Sequence, residues 1–199
     1  MMRKLFAILI LALLPFIVQA QTVQAQTNQE GTDRMIKMTT SLGEIMIELY
    51  PDEAPVTVRN FLDYVESGFF TGTIFHRVIP GFVIQGGGLD KDMRPKQANP
   101  GIINEADNGL KNEVGMLSMA RTNDPNSATS QFFINLVDNA FLDFKAKTPQ
   151  GWGYAVFARV TSGMDVVNSI ASMTTGDRNG HSDVPLEPIV ILNVEVIEE

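Results

Sequence analysis

Cysteine is absent from the 199-residue chain, which removes thiol nucleophiles, disulfides and cysteine metal sites together. Its absence leaves the redox compartment open, because a cysteine-free chain folds in either. Histidine is scarce, with only His76 and His181 in the sequence. There is no HExxH pair for zinc, no GxSxG nucleophile turn and no GxGxxG, and Gly86–Gly88 lacks the lysine that follows in a P-loop. Asp90-Lys91-Asp92 has the look of calcium ligands, but no glycine or distal glutamate stands at EF-hand spacing. Positive charge is also short. Lys and Arg number 15 against 23 Asp and Glu, a net charge of −8 without a basic stripe, so no nucleic-acid partner is expected. General acid–base, covalent and metal catalysis all lack players. What remains is a reaction without bond-making, or binding alone.

Hydrophobic residues make up 44% of the chain, and the length fits one domain able to bury a sizeable core. Met1-Met2-Arg3-Lys4 is a short positive region, and Leu5–Val18 is an apolar run too short for the usual membrane span of about 20 residues. Small residues before Gln21 and Gln26 suit a signal peptidase, so residues 1–20 read as a secretory signal peptide, with Ala25 as the alternative cut. Residues 21–33 read as a flexible leader, and residues 34–199 as the folded domain.

Met35–Thr40 and Glu44–Tyr50 read as a hairpin, the second strand alternating Ile45, Ile47 and Leu49 with polar neighbours. Pro55 opens a helix whose Val58, Phe61, Leu62 and Val65 fall at helical spacing, and Gly68 ends it. Strands are expected at Val114–Ala120, Gln131–Asn135, Ala155–Val160 and Ile189–Ile197, with a helix over Met164–Ser172. Leu89–Gly109 and Gly176–Val184 read as loops. Many short strands and two helices predict a closed antiparallel barrel.

The chain's centre is Phe75–Gly88, FHRVIPGFVIQGGG. Thr73–Ile79 has strand composition, Pro80-Gly81 marks a turn, and Phe82–Gln85 begins a second strand. Alternation places Phe75 with Arg77 on one face, and Ile74, His76 and Val78 on the other. Val83 shares a face with Gln85, and Gln131 with Phe133. A cation, amides and apolar side chains on one surface suit a neutral, partly apolar ligand such as a peptide. By the same parity His76 reads as a satisfied core histidine.

These motifs, taken in order, carry a resemblance. FHRVIPGFVIQGG, GMLSMAR, SATSQFFI, FLD and YAVFARV resemble the ordered motifs of the cyclophilins, the peptidyl-prolyl cis-trans isomerases, from about Arg34 to Glu198. MARTNDPNSATSQFFIN and NEADNGL look most like the bacterial periplasmic branch. The implied fold is mainly β: a closed eight-stranded antiparallel barrel capped by two α-helices. Residue by residue, the resemblance implies Arg77, Phe82 and Gln85 as catalytic. It implies Val83, Ala120, Arg121, Thr122, Gln131, Phe133, Phe141, Leu142 and Tyr154 as substrate-binding. Val83 stands where many relatives have methionine, and Arg121 where many eukaryotic relatives have asparagine. Phe141-Leu142 matches a tryptophan-leucine pair of the cyclosporin-sensitive members, and Tyr154 a histidine of those members, so weak cyclosporin binding is implied. Trp152 belongs to a local insertion, Phe144–Gly153.

The expected activity is rotation about X–Pro bonds in unfolded or maturing exported proteins. No cofactor, metal or membrane is called for after signal removal, and a periplasmic monomer is expected. A second reading from another class stays open: a proline-peptide-binding or chaperone module whose isomerase activity is incidental. A third is a factor secreted beyond the periplasm.

Overall fold

The computed structural model describes residues 35–197; the expected signal peptide and leader lie outside them. Alternating burial sets the first hairpin. In β1 (Met35–Thr40) and β2 (Gly43–Leu49) every second residue is buried, and they pair with Ile36 opposite Ile47 and Met38 opposite Ile45. The chain continues through α1 (Pro55–Glu66), β3 (Thr73–Ile79), β4 (Val83–Asp90), β5 (Met116–Met119), β6 (Phe132–Asn135), β7 (Val156–Ser162), α2 (Met164–Ala171), β8 (Thr175–Arg178), β9 (His181–Pro185) and β10 (Ile191–Ile197). Short 3-10 turns lie at Ala106–Asn108 and Ala140–Leu142. Among the described residues no helix is long and apolar enough to cross a membrane.

Eight strands form one strongly curled sheet in the order β10-β1-β2-β7-β5-β6-β4-β3, antiparallel throughout. The expected closed barrel is corrected here to an open half-barrel. Its edge strands β3 and β10 form no ladder; near that seam lie an isolated bridge, Ile74 to Val190, and the bonds from the Phe75 N–H to the Ile189 oxygen and from the Gly72 N–H to the Ile191 oxygen.

The curl is filled from inside. Phe61 of α1 meets Phe70, Phe132 and Phe157 at ring-centroid distances of 5.1, 5.9 and 5.2 Å. Val167 and Ile170 of α2 join the same buried cluster. Emptying such an aromatic site costs about 3–5 kcal/mol, so Phe61 ties α1 to the sheet.

Two local expectations change. The segment Gly176–Val184, read as a loop, is the greater part of a second sheet, β8 paired with β9. Val184 packs with Ile74, Leu89 and Met93, which holds this hairpin over β3. The strict alternation expected in β3 also fails. Phe75 pairs with Gly86, but Arg77 pairs with Gln85, so β3 carries one extra residue there. A bulge of this kind reverses side-chain parity. Phe75 and Val78 therefore both lie in the main core, whereas Arg77 lines the outer pockets. Phe75 does not share a face with Arg77.

Candidate active site

The bulge in β3 delivers Arg77 to the outer surface of the sheet, beside Gln85 of β4. Arg77 Nη1 donates to Gln85 Oε1 at 3.4 Å, and Gln85 Nε2 donates to Gln131 Oε1 at 3.0 Å. The polarity of the chain is consistent: a guanidinium holds the amide oxygen of Gln85, which leaves its N–H for Gln131. Gly88 makes room for the last member. A Cβ there would fall 2.4 Å from Gln131 Cγ, so only glycine lets Gln131 lie flat across β4. Gly87 has a different task, with φ +83° and the Phe132 and Phe70 rings where a side chain would stand.

Next to Arg77 and Gln85 lies a pocket of about 140 Å³, lined also by Phe82, Val83, Ala120, Arg121, Phe133, Leu142 and Tyr154. Val83, Phe133 and Leu142 form a small buried cluster of their own, with Phe82, Ala120 and Tyr154 packed around it. Strand pairing places its floor, since Gln85 is opposite Phe133 and Val83 opposite Asn135. The Ala120 N–H donates to the Gln131 oxygen at 2.9 Å and fixes the far edge. The result is an apolar recess with one cation and one amide at its lip.

The rim comes from loops. Phe141 is 63% exposed and stacks on Phe82 at 5.6 Å with planes 22° apart. Its loop is held down because the Phe82 carbonyl accepts from the Leu136 N–H at 2.9 Å and from Asn139 Nδ2 at 3.2 Å. Asn139 Nδ2 also reaches Asn135 Oδ1 at 2.8 Å, Asn135 Nδ2 donates to the Met116 oxygen at 3.0 Å, and Ser118 Oγ donates to Asn112 Oδ1 at 2.7 Å. Sequence reasoning missed this buried amide network. Asparagines beside strand ends are its only trace in the sequence, and turn residues leave the same trace.

Arg121 and Thr122 lie at the groove, but their polar groups are engaged. Arg121 donates to the carbonyls of Gly153 (Nε, 2.8 Å), Thr122 (Nη1, 2.8 Å) and Pro149 (Nη2, 3.4 Å), and sits 4.8 Å from the Tyr154 ring centroid. It fastens the Phe144–Gly153 insertion beside the groove. Thr122 Oγ1 hydrogen-bonds Ser127 Oγ at 2.8 Å. Tyr154 in turn packs edge-on against Phe133 at 5.6 Å. All twelve expected site residues thus line or border one continuous surface.

His76 departs from its sequence reading. It is buried as expected, but among the described residues its Nδ1 finds no hydrogen-bond partner. The ring lines a second cleft, of about 410 Å³, on the other side of Arg77, Gln85 and Gln131, with Leu89, Gly180, His181, Ser182 and Asp183 as the other walls. Burial pushes its imidazole down to about 4, His181 and Arg77 act in the same sense, and the Ile74 backbone opposes them. His181, far away in sequence, stands 6.4 Å from it, centroid to centroid. Among the described residues no group of three or more His, Cys, Asp or Glu is placed to hold a metal ion.

Comparison with known proteins adds a family. The family model of cyclophilin type peptidyl-prolyl cis-trans isomerase/CLD matches residues 35–196. A peptidyl-prolyl cis-trans isomerase of Streptomyces antibioticus is 57% identical over 162 residues, 81% of this chain and 98% of that protein. Peptidyl-prolyl cis-trans isomerase B of Escherichia coli (strain K12) is 54% identical over 164 residues, 82% of this chain and 100% of that protein. Among solved structures, a cyclophilin type peptidyl-prolyl cis-trans isomerase of Cryptosporidium parvum superposes with a TM-score of 0.68 at 28% identity, covering 83% of this chain and 98% of that one. That protein was also solved in the presence of the dipeptide Ala-Pro, and this second structure superposes with a TM-score of 0.67 at 28% identity, covering 83% and 99%.

Proposed function

The chain belongs to the cyclophilin-type peptidyl-prolyl cis-trans isomerases, and from that premise we propose that it rotates X–Pro bonds in the 140 Å³ pocket with Arg77 as the catalytic group. The carrying observation is a guanidinium, oriented by an amide, at the lip of an apolar recess. Rotation about a peptide bond faces a barrier of roughly 18–20 kcal/mol, and X–Pro isomerisation unaided takes tens to hundreds of seconds. At the twisted midpoint amide resonance is lost and the proline nitrogen regains a lone pair. Arg77 donates a hydrogen bond to that nitrogen. Both planar states lack the lone pair, so the interaction is made chiefly in the transition state, which is the condition for raising a rate. Arginine stays charged at working pH and offers a fixed fork of donors.

Phe82, Val83, Phe133 and Leu142 grip the proline ring. Gln85 aims Arg77, and Gln131 holds Gln85. Ala120, Arg121 and Thr122 border the path of the substrate backbone, with Phe141 and Tyr154 at the rim. The clients are X–Pro segments of unfolded or maturing exported proteins, met by a periplasmic monomer. The signal-like N-terminus supports that address. Phe141 in place of an indole supports weak cyclosporin binding.

Exchange of a short X–Pro peptide followed by NMR tests this reading. The native protein is expected to accelerate exchange, and Arg77→Ala to lose roughly 10²–10³ in rate, the cost of removing one preorganised donor from a site of this kind. Full activity in a folded Arg77→Ala protein would refute the role. No catalysis by either, with peptide still bound, would leave a binding or chaperone module.

A further inference from the structure

The isomerase reading uses the pocket on one side of Arg77 and Gln85. The larger cleft on the other side, about 410 Å³, has no part in it. It exists because β9 packs across β3 and sets His181 against His76. His76 is only 4% exposed, and its Nδ1 is unpaired among the described residues. Buried polar atoms are nearly always satisfied by protein or by ordered water. The ring forms part of the cleft wall, with that nitrogen enclosed behind its surface.

The walls also define what fits. Arg77 brings a cation and Asp183 a carboxylate, and no ion pair for either occurs among the described residues. His76 is uncharged near neutral pH, and His181, Ser182 and Gln131 complete the polar walls. A cationic or anionic side chain entering here meets one like charge. An apolar one strips water from donors and acceptors without replacing it. A carboxamide carries two N–H donors and an acceptor and answers both kinds of wall at no net charge.

We propose that this cleft is a second substrate subsite, selecting an asparagine or glutamine side chain near the proline. The proposal rests on the isomerase reading of the neighbouring pocket. Arg77 and Gln85 line both spaces, so a peptide leaving the proline pocket passes directly into the cleft. An extended chain advances about 3.3–3.6 Å per residue, which places the selected residue within two or three positions of the proline. His181 and Asp183 are the specificity-determining residues. They come from the hairpin and take no part in holding the proline ring.

The test is a set of proline peptides in which each of the three positions on either side carries Ala, Gln, Glu, Lys or Leu in turn. At one position Gln is expected to raise kcat/KM about tenfold over Ala, the effect of a hydrogen bond to a charged wall. His181→Ala and Asp183→Asn are expected to cut that ratio below about threefold, a loss in the range of an ordinary hydrogen bond; asparagine tolerates the left-handed backbone of position 183 (φ +61°). A flat profile at every position, a stronger response to Glu, Lys or Leu, or an undiminished ratio in both variants would overturn the subsite. Failure to catalyse the all-alanine peptide would instead overturn the parent reading. The imidazole NMR signals of His76 decide the subsite independently of turnover. They are expected to move with the Gln peptide and not with its Ala counterpart, and equal responses to both would refute selection there.

Discussion

The proline pocket and the His76 cleft share Arg77 and Gln85 but are made of different material. The first is floored by Val83 and Phe133, residues of paired strands inside one sheet. The second is roofed by a hairpin from far along the chain, and it is lined by a buried imidazole, a cation and a carboxylate. Packing alone satisfies an apolar wall, so the floor of the first space needs no polar partner. A polar wall is satisfied only by partners, so the second is sensitive to pH and to what enters it. Grip and selection are thus separated by the thickness of one arginine.

The largest expected break in that contrast is acid. The imidazole of His76 is lowered from 6.5 to about 4 in the folded protein, so the unfolded chain binds its proton more readily. The stabilising contribution of the neutral ring is complete above pH 6.5 and is lost as pH falls through the window down to about 4. The loss amounts to about 3 kcal/mol. Urea unfolding across that window would show it, and His76→Asn is expected to flatten the slope. An equal slope in both proteins would remove His76 as its source.

A smaller effect is expected on the side the two spaces share. Gly88→Ala drives a methyl group into Gln131 and frees Gln85 from its acceptor. One such hydrogen bond is worth about 1 kcal/mol, so kcat/KM should fall roughly fivefold. Gln131→Ala should match it, and the double variant should lose nothing more. Additive losses would mean that the two residues act separately.

The smallest is at the rim of the proline pocket. Phe141→Trp adds an indole N–H donor beside Phe82, and cyclosporin inhibition is expected to tighten roughly fivefold, the value of about one hydrogen bond. Unchanged inhibition would show that the rim does not limit binding of the drug.

Much of the proline pocket was legible because its parts are local. In β4 and β6 alternation runs without interruption through Val83 and Gln85, and reaches Phe133 from Gln131, so parity placed each pair on one face, and the strand pairing brought the two pairs together. The same reasoning failed in β3. One extra residue between Phe75 and Arg77 reverses the pattern, and nothing in FHR, which has no glycine, marks a bulge. It was the order of motifs that singled out Arg77. The resemblance also marked Arg121 for substrate, and the structure adds that three of its five N–H donors go to the carbonyls of Gly153, Thr122 and Pro149, an arrangement invisible without the fold of the insertion.

The amino-acid sequence by itself determined the mainly β class and the two helices, which depend on periodicity and composition within a few residues, and the order of its motifs carried the resemblance that named the family. Only the tertiary structure decided that the barrel stays open between β3 and β10, that β8 and β9 form a hairpin over β3, and that His76, its Nδ1 unpaired among the described residues, faces His181. Each of these depends on where two distant segments meet. That is set by the packing of Val184 on Ile74 and Leu89 and by the curl of the whole sheet, and no local pattern encodes either.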